Sequence, residues 1–223
     1  MPSDLLRLNS LPGSQDLKIL DRSVKNAYCS LMARPREFDR EAALEEALRV
    51  FWAKGYAATS TDDLRKAMGI GRQSLYGAFG DKRTLYLEAL DAYQRRTTSG
   101  HLKRLREGGP VEGIQNLLMG LVAEDDQERA LGCMGVGSVG EFGATDAELN
   151  ARRKTSGKML TKGISQRIRE GQERGKIDSS LDPGEAAAFV LMTLTGLQLA
   201  ARGGASSADL KAMARFATER LVK

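Results

Sequence analysis

The strongest constraint on this chain lies in residues 59–82, TSTDDLRKAMGIGRQSLYGAFGDK. Its apolar spacing and glycines predict two short helices joined by a tight turn. Ser60 is placed to cap the first helix, and Asp63 answers it three positions later, the reciprocal arrangement that satisfies free backbone N–H groups at a helix start. Leu64, Ala67 and Met68 give that helix one apolar face. Gly69 stands where helices commonly end in a left-handed residue, and Ile70 between two glycines is placed to plug a small core while the chain reverses. From Arg72 a second helix buries Leu75 and Phe79, four apart, which leaves Arg72, Gln73, Ser74, Tyr76 and Gly77 off the apolar side. A helix pair with a polar, exposed second member has the layout of a DNA-reading helix-turn-helix, although such pairs also occur as plain packing units.

The flanking sequence separates these readings. An amphipathic helix over 39–54, capped by Asp39, carries Ala43, Leu44, Ala47, Leu48, Phe51 and Trp52 and ends at Gly55; Trp52 reads as core. Asp81 and Lys82 open another helix running to about Arg106. With Lys54-Gly55-Tyr56, Thr59-Ser60, the Leu75-Tyr76 pair followed by Phe79, and Lys82 in this order, residues 36–93 resemble the N-terminal domain of TetR-type transcriptional regulators. The departure is Gly77-Ala78, where many members carry an aromatic or His-like residue. The resemblance implies an all-α fold: an N-terminal three-helix helix-turn-helix domain over 32–84, then a C-terminal helical ligand-binding and dimerisation domain over 85–223. It implies a homodimer on double-stranded operator DNA, a small-molecule effector, repression released when the effector shifts the fourth helix, and backbone contacts from Tyr76 and Lys82.

The residues themselves suggest how DNA is read. The Gln73 amide is suited to a bidentate pair with adenine, Arg72 to guanine or phosphate, and Ser74 shares their face. Ser60 and Thr61 offer hydroxyls and N–H groups to a phosphate at one helix start, and Lys82 offers its charge at another. Residues 32–107 hold 15 Lys or Arg against 11 Asp or Glu, and residues 108–223 hold 15 against 15. The surplus sits on the half with the motif, yet it is smaller than a non-specific architectural DNA-binding protein requires.

Beyond the break at Gly108-Gly109-Pro110 the pattern stays helical: 111–124, a charged connector 124–129, a glycine-rich stretch 132–143 suited to a loop, a crossing helix or a ligand, then 146–175, 182–202 and 208–222. The resemblance implies that the last two helices pair with those of a second copy, where Gly196, Ala200 and Ala217 permit close approach; the other reading is that they finish the monomer core. Residues 1–31, broken by Pro12-Gly13-Ser14, read either as a peripheral extension or as an upstream start before Met32.

Other classes fare worse. His101 is expected on a basic, outward part of the fourth helix, with no nucleophile elbow or metal spacing around it, so a small helical enzyme is the weaker reading. Cys29, Cys133 and His101 make no conventional zinc set; the cysteine usage points to a reducing cytoplasm, and no metal or cofactor is expected. Cys133 is either a small buried apolar residue or an oxidant or electrophile sensor. No apolar run of about 18 residues is evident, and the N-terminus lacks the pattern of a secretory leader, so neither a membrane span nor secretion is expected.

Overall fold

Glycine at position 69 ends one helix with φ 65° and its N–H on the Arg65 carbonyl, and the sharp reversal it permits fixes the first half of the molecule. The computed structural model describes residues 38–223 except 121 and 123–125. Ten helices occur among them: α1 (Arg40–Lys54), α2 (Thr61–Met68), α3 (Arg72–Phe79), α4 (Lys82–Arg106), α5 (Pro110–Met119), α6 (Asp126–Leu131), α7 (Met134–Phe142), α8 (Ala147–Glu173), α9 (Pro183–Arg202) and α10 (Ser207–Glu219). An isolated antiparallel bridge, Ile177 with Val222, is the only β pairing among the described residues.

The first three helices close over a small core of Leu48, Phe51, Leu64, Leu75 and Phe79, each 2% exposed or less. Burying side chains of this size is worth about 1.5–3 kcal/mol apiece, enough to hold two eight-residue helices that are too short to persist alone. Phe51 meets Tyr86 of α4 edge-on at 5.1 Å, so α4 belongs to this core as much as to the second half. Packing runs unbroken from Arg40 to Lys223, so the expected division at 84/85 falls in the first turn of a continuous 25-residue helix. The calls on residues 1–31, including Cys29, lie outside the described residues.

The second core gathers Leu105, Ile114, Leu117, Leu118, Ile164, Ile168, Val190, Leu194 and Leu221. At Gly113 a β-carbon would lie 2.2 Å from the Leu105 carbonyl oxygen, so glycine is what lets α5 rest directly on the α4 backbone. Asp182 caps α9 by accepting from the N–H groups of Gly184 and Glu185, with Pro183 in the first turn.

Several sequence expectations are corrected or narrowed. The charged connector 124–129 runs into the short α6, and most of the glycine-rich stretch, left open between a loop, a crossing helix and a ligand site, forms α7. His101 is buried, not solvated, because the turn before α7 and Gln198 of α9 close over it. Trp52 is half-buried and donates its indole N–H to the Gly132 carbonyl at 3.0 Å. Ala217 faces the monomer core. Helix α9 is long and apolar enough, by length and composition, to cross a membrane; one face carries the buried Val190, Leu194 and Leu197, and Phe189, Met192 and Leu199 are exposed.

Candidate nucleic-acid interface

At the start of α2 the Ser60 hydroxyl accepts from the Asp63 N–H at 3.0 Å, and the Asp63 carboxylate accepts from both the Ser60 N–H at 2.9 Å and the Ser60 hydroxyl at 2.7 Å. Lys54 adds its ammonium to the same carboxylate at 2.8 Å. Lys54, then the Ser60 backbone and hydroxyl, hold the Asp63 carboxyl well below the usual carboxylate range. The donors of Ser60 are therefore spent on Asp63. Thr61 keeps its hydroxyl, and the first N–H groups of α2 keep their outward direction.

The turn seats Ile70 at 8% exposure. Gly71 then starts α3 with an extended backbone and no side-chain cap, so the leading N–H groups of α3 have neither an intrahelical nor a side-chain partner. Leu75 and Phe79 point inward, while Arg72, Gln73 and Ser74 are exposed and Tyr76 is 42% exposed. All four are open to solvent. The Arg72 guanidinium sits 5.8 Å from the centre of the Tyr76 ring. A β-carbon at Gly77 would meet nothing within 4 Å, which leaves the middle of α3 free for close approach by another molecule.

Lys82 is the first residue of α4, after the Asp81 cap that accepts from the Thr84 N–H at 2.7 Å. Its ammonium rests 4.3 Å from the centre of the Tyr56 ring, a contact that aims the charge. The expected contact residues thus fall in three groups: Ser60 and Thr61 at the start of α2, Arg72, Gln73, Ser74 and Tyr76 on α3, and Lys82 at the start of α4. Cys133 lies apart, at the start of α7.

Two further residues set the pose of this head. Arg40 donates to the Ala78 carbonyl at 3.2 Å and to Glu88 at 2.7 Å, with its guanidinium 4.4 Å from the centre of the Phe79 ring, tying α1 to the end of α3. Glu141 of α7 accepts from the N–H groups of Tyr56 and Ala57 at 3.0 and 2.7 Å, and Phe142 beside it packs on Tyr56 with ring centres 5.3 Å apart. Partners 38 and 84 residues apart leave no local pattern to find.

Among known proteins, the family model described as bacterial regulatory proteins, tetR family, matches residues 43–89. The HTH-type transcriptional repressor ComR of Escherichia coli (strain K12) is 30% identical over 184 residues, covering 81% of this chain and 88% of the relative. The HTH-type transcriptional regulator YezE of Bacillus subtilis (strain 168) is 34% identical over 149 residues, covering 66% and 77%. A cysteine-substituted form of the TetR family regulator CifR, solved with 26-bp double-strand operator DNA, is 30% identical with a TM-score of 0.71, covering 85% of this chain and all of that one. Sequence, fold and the geometry of α2 and α3 agree: the chain belongs to the TetR family of transcriptional regulators.

Proposed function

We propose that the chain is a cytoplasmic repressor that binds a palindromic DNA operator as a homodimer and is released by a small-molecule effector. One observation carries the DNA reading: α3 buries only Leu75 and Phe79 and leaves Arg72, Gln73, Ser74 and Tyr76 together in solvent. Gln73 reads a base edge. Arg72 and Ser74 flank it on base or phosphate, and Tyr76, Thr61, the α2 and α3 N-termini and Lys82 hold the backbone. Ser60 acts by shaping the α2 start.

One such helix reads too few base pairs for a regulator, so two copies are needed, with half-sites about 34–36 Å apart or a multiple of that. Support for the dimer is the apolar surface on α9 and α10: Met192 is 74% exposed, Leu199 61%, and Met213 and Phe216 53% each. Side chains of this size grouped on one surface mark an interaction site, and the exposed Gly196 and Ala200 on α9 permit close approach. A twofold contact between copies covers such a face with itself.

For the effector, the support is a cavity of about 250 Å³ among α4, α7, α8 and α9. Ligand and DNA need only prefer different states for each to weaken the other. A thiol-sensing reading has one observation in its favour: Cys133 reaches this cavity, with its sulfur in hydrogen-bonding contact with the Tyr93 hydroxyl. The deciding experiment is DNA binding across a salt series. A specific repressor keeps its preference for operator over random duplex as salt rises; a non-specific binder loses nearly all affinity for both.

A further inference from the structure

The cavity between α4 and α9 is built for a particular chemistry at each end. At one end stands His101, 6% exposed, whose Nδ1 has no hydrogen-bond partner. Gln198, 7% exposed, lines the cavity with it. A buried polar atom such as this Nδ1 is rarely left unpaired in a closed core. At the other end Arg153 donates to the Ser138 hydroxyl at 3.4 Å, to the Gly143 carbonyl at 2.7 Å and to the Asn150 side-chain oxygen. All three partners are neutral, and no carboxylate of the described residues lies within ion-pair reach of it. Leu160, Leu191 and Leu194 line the space between.

Resting on the effector reading above, we propose that this cavity takes a compact organic monocarboxylate, its acid group on Arg153 and its apolar body directed toward His101 and Gln198. The three contacts use one donor of Nη1 and both donors of Nη2, so a carboxylate takes a bidentate pair by displacing a neutral partner such as the Gly143 carbonyl. A half-buried charge whose partners are all neutral gains from an anion that brings a counter-charge. The size fits a ring with one or two small substituents, since a cavity of about 150 Å³ already holds benzene. A hydroxyl or similar group on the far side of the ring satisfies His101 or Gln198.

The same contacts link the site to the DNA-reading head. Arg153 holds the carbonyl of Gly143, the residue that ends α7, and Glu141 two positions earlier holds the N–H groups of Tyr56 and Ala57. A carboxylate that draws Arg153 from Gly143 loosens the end of α7 that clamps the α1–α2 turn.

Calorimetric titration of the full chain with benzoate, 4-hydroxybenzoate and phenylacetate, each against its amide, tests the site. At least one acid should bind about tenfold or more tightly than its amide. Arg153→Gln should erase the difference and Arg153→Lys restore part of it, while the His101 imidazole signals shift on binding. Acids that bind no tighter than their amides, or an acid preference that survives Arg153→Gln, overturn the proposal; the comparison on the unmodified protein decides if Arg153→Gln does not fold. Operator affinity is measured separately. An acid that binds through Arg153 and leaves operator affinity unchanged refutes release but keeps the site. Amides that release operator when acids do not keep release and overturn the ligand class.

Discussion

The carboxylate of Glu141 receives the backbone N–H of Ala57 at 2.7 Å. This contact joins the last turn of α7 to the turn between α1 and α2, while Trp52 on Gly132 joins α1 to the other end of α7. A nine-residue helix is thereby pinned to the reading head at both ends and lines the cavity between them.

Removing the clamp should free the turn without unfolding the protein. In Glu141→Ala the amide protons of Tyr56 and Ala57 should exchange about tenfold faster, with amides in the cores of α8 and α9 unchanged. Equal exchange at Tyr56 and Ala57 in both proteins would mean the contact does not hold the turn.

Two substitutions separate the assembly surface from the core. Phe216, 53% exposed, should tolerate Asp in the folded monomer, so Phe216→Asp should sediment as a folded monomer while the parent chain sediments as a dimer. Leu194, 2% exposed, belongs to the core: Leu194→Ala should cost about 2–5 kcal/mol in denaturant unfolding, and a charge there should unfold the chain. A parent chain that stays monomeric at micromolar concentration contradicts the twofold reader.

Burial, with a smaller contribution from the nearby Arg104, pushes the His101 pKa down from 6.5 to about 4. The unfolded chain therefore takes up a proton that the folded chain refuses between these values. Stability is full above pH 6.5 and falls as pH drops toward 4, by about 3 kcal/mol in all. His101→Gln should remove that part of the pH dependence in urea titrations at pH 7 and pH 5; an identical slope in both proteins would place the imidazole in water.

Cys133→Ser distinguishes the two kinds of control. With reversible ligand binding, the variant keeps most of its operator release by carboxylates; with thiol sensing, it loses release by an oxidant or an alkylating electrophile. The reversible route is the expected one.

What the sequence reveals follows the range of each interaction. The Ser60–Asp63 cap, the left-handed Gly69 and the Leu75–Phe79 face are set by residues three or four apart, and each stands where local spacing places it. His101 looked outward because its neighbours on α4 are basic; what buries it comes from the turn before α7 and from α9. The glycines of α7 argue against a helix by propensity, yet packing against α4 and α9 and the contacts of Trp52 and Glu141 hold one there. Ala217 shares α10 with the exposed Met213 and Phe216, and only the position of the neighbouring helices shows that it turns inward. Arg40 and Arg153 become functional candidates only when their partners are located in space.

The central claim is that the exposed face of α3 reads DNA sequence. Selection of bound duplexes from a random pool, run in parallel on the parent chain, Gln73→Ala and Lys82→Ala, tests it most directly. The expected result is an inverted repeat for the parent, relaxed preference at particular base pairs of each half-site for Gln73→Ala, and uniformly weaker binding to the same motif for Lys82→Ala. A parent chain that enriches no motif, or a Gln73→Ala variant that selects the same motif with the same affinity, would contradict it.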